Sequence, residues 1–300
     1  MTRARWTLAM VAASGLVFSW ASADTPKQSG WPESWYERQA PIHVYGNTYY
    51  IGTRGLSAVL ITSPEGHVVI DGTVPEAASQ VLANVRELGF EVRDIKYVLN
   101  SHAHFDHAGG LSEIQKASSA TVLSSPAGAA ALRNGKGGPD DPQFTSIGPF
   151  PAVAGVKVLQ DRQSIAIGST QLTVHYTPGH TPGGTSWSWR SCEQDRCLDL
   201  VYADSLNAVS ADDFSYSGDP RYPNAANDLR ASIERIASLD CDLIISAHPE
   251  VADFWEAIER REKGDADALI DKDGCRKYAQ GAKERLEARL AKERKTRASD

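Results

Sequence analysis

The segment Asn100-Ser101-His102-Ala103-His104-Phe105-Asp106-His107 gathers three imidazoles and a carboxylate between positions 102 and 107. Neutral imidazole nitrogen and carboxylate oxygen are the ligands zinc takes in catalytic sites. In extended chain, with its period of two, His102, His104 and Asp106 project to one side, and Gly109 and Gly110 let the backbone turn into a helix so that His107 swings in. Burying these groups without a metal would leave several polar atoms unpartnered. Two further histidines stand in the same setting, each just past an apolar run: His180 in Thr177-Pro178-Gly179-His180-Thr181-Pro182-Gly183-Gly184, and His248 in Ala247-His248-Pro249. Alone, either reads as a satisfied buried histidine; beside the first cluster they complete a set of six ligands. Six ligands suit two metals. One division gives His102, His104 and His180 to the first ion, and Asp106, His107 and His248 to the second. Two Zn2+ ions per chain could share a hydroxide at neutral pH, which is a design for hydrolysis. His43, His67 and His175 lack comparable company and read as structural or surface residues.

The elements that must position these groups are strands that stop where the ligands begin. Runs at Ile95 to Leu99, Leu172 to Tyr176 and Leu243 to Ser246 lead into the three histidine segments, and Leu200 to Ala203 leads into Asp204-Ser205-Leu206-Asn207. Earlier runs, Tyr49 to Ile51, Leu56 to Thr62 and His67 to Asp71, are separated by turn residues and read as an antiparallel start. Further strands are expected at Thr121 to Leu123 and near Val156, Ile165 and Trp187. Helical spacing appears over Glu76 to Leu88, from Pro126, over Ala225 to Ser238, and at the C-terminal end, where Leu286 and Leu290 mark an apolar stripe. Asn134 to Pro151 is rich in Gly and Pro and reads as a long loop of the lid or binding type. No repeat or low-complexity linker divides the chain, so residues 24–300 read as one domain of mixed sheets covered by helices.

Residues 1–23 read as a cleaved export signal: Arg3 and Arg5, the apolar stretch Thr7 to Trp20, then Ala21-Ser22-Ala23. Export into an oxidising compartment makes disulfides the default for the four cysteines, which allow three connectivities. Cys192 and Cys197 enclose a polar tetrapeptide between two strand-like runs, which suits a clamp across a hairpin tip and leaves Cys241 and Cys275 for each other. A zinc site built from all four is disfavoured by the lack of paired C-x-x-C knuckles. The 300 residues carry 31 Lys+Arg against 38 Asp+Glu, and the basic cluster lies at the extreme C-terminus. That balance argues against a nucleic-acid partner, and no membrane partner is expected once the signal is removed.

His102-Ala103-His104-Phe105-Asp106-His107 resembles the H-x-H-x-D-H motif of the metallo-β-lactamase superfamily, with Gly179-His180 and Ala247-His248 in the expected order from about Tyr45 to about Cys275. The resemblance implies an α/β (α+β) fold, an αββα sandwich of two mixed β-sheets flanked by helices, with the zinc site at one edge. Within the superfamily the chain resembles subclass B3, on the intact His102/His104/His180 set, on Ser205 where B1 and B2 enzymes carry a metal-binding cysteine, and on the Cys241/Cys275 and Cys192/Cys197 pairs. This implies a monomeric periplasmic enzyme whose zinc-bound hydroxide opens the β-lactam amide of penicillins, cephalosporins and carbapenems, with Asp106 orienting the attack. It also implies that Ser205 and Asn207 hold the substrate carboxylate, Asn207 replacing the usual Ser or Thr; Gln143 is a weaker candidate for a substrate contact. Asp204 stands where glyoxalase II and lactonase relatives use an aspartate to bridge both metals, so the alternative is a secreted lactonase or esterase.

Overall fold

The strands around the histidine segments are apolar at nearly every position, which alternation predicts only when both faces of a sheet are covered. The computed structural model, which describes residues 30–299, has that arrangement; the export signal read at 1–23 lies outside the described residues. The first sheet runs in the order β1 (Ile42–Tyr45), β2 (Thr48–Tyr50), β3 (Val59–Ser63), β4 (Gly66–Ile70), β5 (Ile95–Leu99), β6 (Thr121–Ser124), β7 (Lys157–Val158). It is antiparallel from β1 to β4 and parallel from β4 to β7. The second contains β8 (Ser164–Ile167), β9 (Thr170–Tyr176), β10 (Thr185–Glu193), β11 (Arg196–Ala203) and β12 (Leu243–Ser246), antiparallel except for the parallel pair β11 and β12.

Alternate residues of the same strand enter different cores. Val59, Ile61, Val68 and Ile70 face the second sheet, where they meet Leu172, Val174, Trp187, Leu200, Tyr202 and Ile245. Leu60, Val69, Val98 and Val122 point the other way, onto a layer that includes α1 (Ala78–Glu87), α3 (Leu111–Ser118) and α4 (Pro126–Asn134). On the far side Val201, Ala203 and Ile244 pack against α5 (Ala225–Ala237) and α7 (Gly274–Ser299), with Leu286 and Leu290 buried as the apolar stripe requires. The layers are therefore helix, sheet, sheet, helix, as the family resemblance implies. Both cysteine pairs are bonded: Cys192 faces Cys197 directly across the β10–β11 hairpin, and Cys241 joins Cys275 at the start of α7.

Several local expectations change. Asp106 does not continue the extended alternation, because Phe105–Ala108 forms a helical turn, α2, in which the His104 carbonyl accepts the N–H of His107 at 3.1 Å and of Ala108 at 2.7 Å. A Cβ on Gly109 would meet the Phe105 carbonyl and Pro75, so the tight exit from this turn requires glycine. β3 begins only at Val59, since Ser57 bonds across to the end of β12 and the residue after it, its Oγ to the Ser246 carbonyl at 2.7 Å and its N–H to the Ala247 carbonyl at 3.0 Å. Strand β1 and helix α6 (Phe254–Glu262) arise where the sequence shows no clear period. The stretch 135–151 between α4 and β7 contains neither helix nor strand.

Candidate metal centre

Strands β9 and β11 run parallel to each other on either side of β10, and β12 runs parallel to β11, so their C-terminal ends lie at one edge of the second sheet. The Thr185 N–H, at the start of β10, reaches the Ser101 carbonyl just past β5 at 2.7 Å, which brings the end of β5 to that edge. All six predicted ligands meet there. The imidazole centroids of His102, His104 and His180 lie 4.7 to 5.1 Å apart. Beside them, Asp106 Oδ2 is 3.0 Å from His107 Nε2 and 3.5 Å from His248 Nε2, and these two nitrogens are 3.2 Å apart. His102 joins the two groups, its ring centroid 4.3 Å from that of His107.

Each ring of the first group has one nitrogen tied outward. His102 Nδ1 donates to Asp204 Oδ1 at 2.8 Å, His104 Nε2 to Asp141 Oδ2 at 2.9 Å and His180 Nδ1 to the Asn207 carbonyl at 2.8 Å. These acceptors fix the proton on the outer nitrogen and leave the inner one as a bare lone pair, the arrangement of an oriented metal ligand. In the second group His107 Nε2, His248 Nε2 and Asp106 Oδ2 converge in the same way; Asp106 Oδ1 is buried without a hydrogen-bond partner, while His107 Nδ1 faces Asp71 Oδ2 at 3.7 Å. Converging, desolvated lone pairs repel unless a cation sits among them. A donor set of imidazole and carboxylate without thiolate fits zinc.

Burial, and then the neighbouring His107, holds His102 well below the ordinary histidine value. Burial and His104 press His180 down to about 3, and burial and His107 press His248 to about 4. Burial alone would raise Asp106, yet the adjacent His107 keeps it below the usual carboxylate range; burial would lower His107, and Asp106 reverses that. In the metal-free protein His180 and His248 thus stay neutral to about 3 and 4, whereas the unfolded chain protonates each near 6.5. The unfolded state then binds more protons across that window, so the stability these rings contribute is complete above about 6.5 and is lost as pH falls toward about 4. His107, Asp71, Asp204 and Glu250, all raised, work in the opposite sense, and His102, His67 and His175, all lowered, add to the first effect. The denaturant midpoint of chelator-treated protein is expected to be lower at about pH 5 than at about pH 7.5; equal midpoints would contradict this account.

Gln143 lies at the first group, its Nε2 3.4 Å from both His104 Nδ1 and His180 Nε2. Ser205 is buried and its Oγ has no protein partner, while Asn207 contributes its carbonyl to His180. His43, exposed beside Glu193, His67 against Phe90 and His175 bonded to Ser188 stay out of the cluster. Asp71 is a further site residue, one that its sequence context does not mark. This buried residue follows β4 at φ 61° and accepts the Ser101 N–H at 2.6 Å, the Ser101 hydroxyl at 2.6 Å, the Asn100 amide at 3.1 Å and the Tyr202 hydroxyl at 2.8 Å. It ties the end of β5 to both sheets directly beneath the ligand segment, but its place just past an apolar strand is too common for an aspartate to mark it in the sequence. Asp141, inside the Gly/Pro-rich loop, is likewise unmarked by its sequence context. Trp35 packs on the His248 ring at 5.6 Å and on Trp31 at 5.1 Å, so the aromatic N-terminal stretch covers this corner of the site.

The profile of the Metallo-beta-lactamase superfamily matches residues 51–248. Among solved structures, Rm3 metallo-beta-lactamase is 49% identical, with a TM-score of 0.86 over 87% of this chain and 97% of that one. MEM-A1, a subclass B3 metallo-beta-lactamase from a soil metagenome library, is 48% identical at the same TM-score, over 87% of this chain and 99% of that one. Similarity to curated proteins is partial: a hydroxyacylglutathione hydrolase of Anaeromyxobacter dehalogenans (strain 2CP-C) is 29% identical over 125 residues, 42% of this chain and 38% of that relative. The chain thus spans about two fifths of that relative's length but nearly the whole of the two solved structures. The sandwich, the convergent imidazole and carboxylate donors and these similarities together place the chain in the metallo-β-lactamase superfamily, within subclass B3.

Proposed function

We propose that the chain is an exported, monomeric periplasmic hydrolase that opens the β-lactam ring of penicillins, cephalosporins and carbapenems with two zinc ions per chain. His102, His104 and His180 would hold one ion, and Asp106, His107 and His248 the other. Zinc bound by these donors supplies a Lewis acid for the amide carbonyl and an activated water nucleophile near neutral pH. The protein's own groups then set direction. Asp106 Oδ1, a buried acceptor without a protein partner, takes a hydrogen bond from the attacking water and orients it. The Gln143 amide and the Ser205 hydroxyl act as donors to substrate oxygens, Ser205 together with Asn207 toward the carboxylate. The described disulfides fit an oxidising compartment, and export followed by cleavage after Ala23 would place the chain there.

The observation that carries the choice of substrate is the position of Asp204. Its Oδ1 is committed to the outer nitrogen of His102, and its Oδ2 faces the Thr177 hydroxyl at 3.4 Å and the backbone of Gly184. An aspartate so placed orients a ligand from behind and does not bridge two metals, which favours a β-lactamase over a lactonase arrangement. Zinc-loaded protein is expected to hydrolyse a penicillin, a cephalosporin and imipenem, to stop when a chelator is added, and to act poorly on an acyl-homoserine lactone. Robust lactone opening without β-lactam turnover would reverse the assignment.

A further inference from the structure

The outer acceptors of the first ligand group differ in what carries them. Asp204 directly follows strand β11, so His102 is held from the sheet. Asp141 belongs to the stretch 135–151, which has no helix or strand of its own, yet it is only 2% exposed and reaches the centre. Both of its oxygens approach His104 Nε2, at 3.1 and 2.9 Å, and Oδ1 also accepts the N–H of Gln143 at 2.8 Å.

The backbone around Asp141 is knotted to the same point. Its N–H donates to the Gly138 carbonyl at 2.9 Å, its carbonyl accepts the Phe144 N–H at 3.0 Å, and the Gln143 carbonyl accepts the N–H groups of Ser146 and Ile147 at 3.0 and 2.9 Å. A Cβ on Gly137 would collide with the Asp141 carboxylate, so the chain before it is shaped to the same side chain. Gln143, two residues on, turns its amide to the inner nitrogens of His104 and His180. One carboxylate therefore fixes both the conformation of the loop and the proton position on a metal-facing ring.

We propose that Asp141 is a positioning residue that locks the loop 135–151 to His104, so that order in the loop and metal affinity rise and fall together. A carboxylate behind a ligating imidazole sets its tautomer and raises its basicity, and removing such a partner typically costs about 10–100-fold in metal affinity. Coupling of this kind is reciprocal: if the loop supports the metal, the metal must support the loop.

The test uses the mature chain and its Asp141→Ala and Asp141→Asn variants, with zinc affinity measured by competition against a chromophoric chelator and hydrogen exchange followed in the loop with and without zinc. Asp141→Ala is expected to bind zinc about 10–100-fold more weakly. Zinc should slow exchange at the amides of Gln143 to Ile147 in the wild type, and Asp141→Ala should lose that response. Asp141→Asn keeps an oxygen for His104 and Gln143 while losing the charge, and is expected to fall between the two. Wild-type zinc affinity in Asp141→Ala, or an unchanged exchange response to zinc, would overturn the proposal. If Asp141→Ala does not fold, Asp141→Asn decides, and wild-type affinity there overturns it equally. The proposal rests on the zinc reading of the site: a wild-type chain that takes up no zinc defeats both, whereas zinc uptake indifferent to position 141 defeats this one alone.

Discussion

Asp106→Ala is expected to lower the turnover of imipenem by about 10²–10⁴-fold, the range associated with loss of a positioned acid or base group. The size of the effect follows from two roles on one carboxylate. Oδ2 lies among the nitrogens of His107 and His248, where it supplies the only negative charge of that group, and Oδ1 is a buried acceptor without a hydrogen-bond partner, which the proposed function assigns to the attacking water. Alanine removes both, and the two imidazoles lose the carboxylate between them, with Asp71 Oδ2 remaining 3.7 Å away at His107 Nδ1. The variant should also bind less zinc, which metal analysis of dialysed protein would report alongside the steady-state rate. Carbapenem hydrolysis by Asp106→Ala at the wild-type rate would remove Asp106 from the mechanism.

The largest effect on stability is expected at Cys241–Cys275. These residues are 34 apart in sequence, and on the chain-entropy account the bond restrains the unfolded chain by about 4 kcal/mol. Cys192–Cys197 closes a loop of only 5 and is worth about 2 kcal/mol on the same account. The double variant Cys241→Ser/Cys275→Ser should therefore melt roughly 10 °C lower in a chain of this size, and Cys192→Ser/Cys197→Ser about half as far below the wild type. The location reinforces the difference. Cys241 precedes β12, whose far end carries His248, and Cys275 opens the helix that covers the second sheet. Both bonds lie toward the edge opposite the ligands, but the hairpin clamp anchors no further element, so its loss should leave hydrolysis nearly intact. Thermal scans of the zinc-saturated proteins would decide; equal melting temperatures for the two double variants would contradict the chain-entropy account.

Much of the site was legible locally. Strand, ligand segment and glycine turn are contiguous in sequence, so the spacing of His102, His104 and His107 already points to metal chemistry, and the doubly apolar strands already require layers on both faces. The extended reading of Asp106 failed because a single helical turn, closed by two bonds to the His104 carbonyl, overrode the period of two. Asp71 and Asp141 were not legible as site residues. An aspartate after a strand and an aspartate in a Gly-rich loop are common, and nothing within several residues of either marks its partner.

By itself the sequence determined which side chains can hold metal and that each of these segments begins where an apolar strand ends, because both follow from residue chemistry and backbone period over a few positions. Only the tertiary structure decided which nitrogen of each ring turns inward. That choice rests on acceptors brought from 102, 37 and 27 residues away, Asp204 for His102, Asp141 for His104 and the Asn207 carbonyl for His180. Such pairings depend on how strands cross between sheets and where a loop folds back, and no local periodicity encodes them.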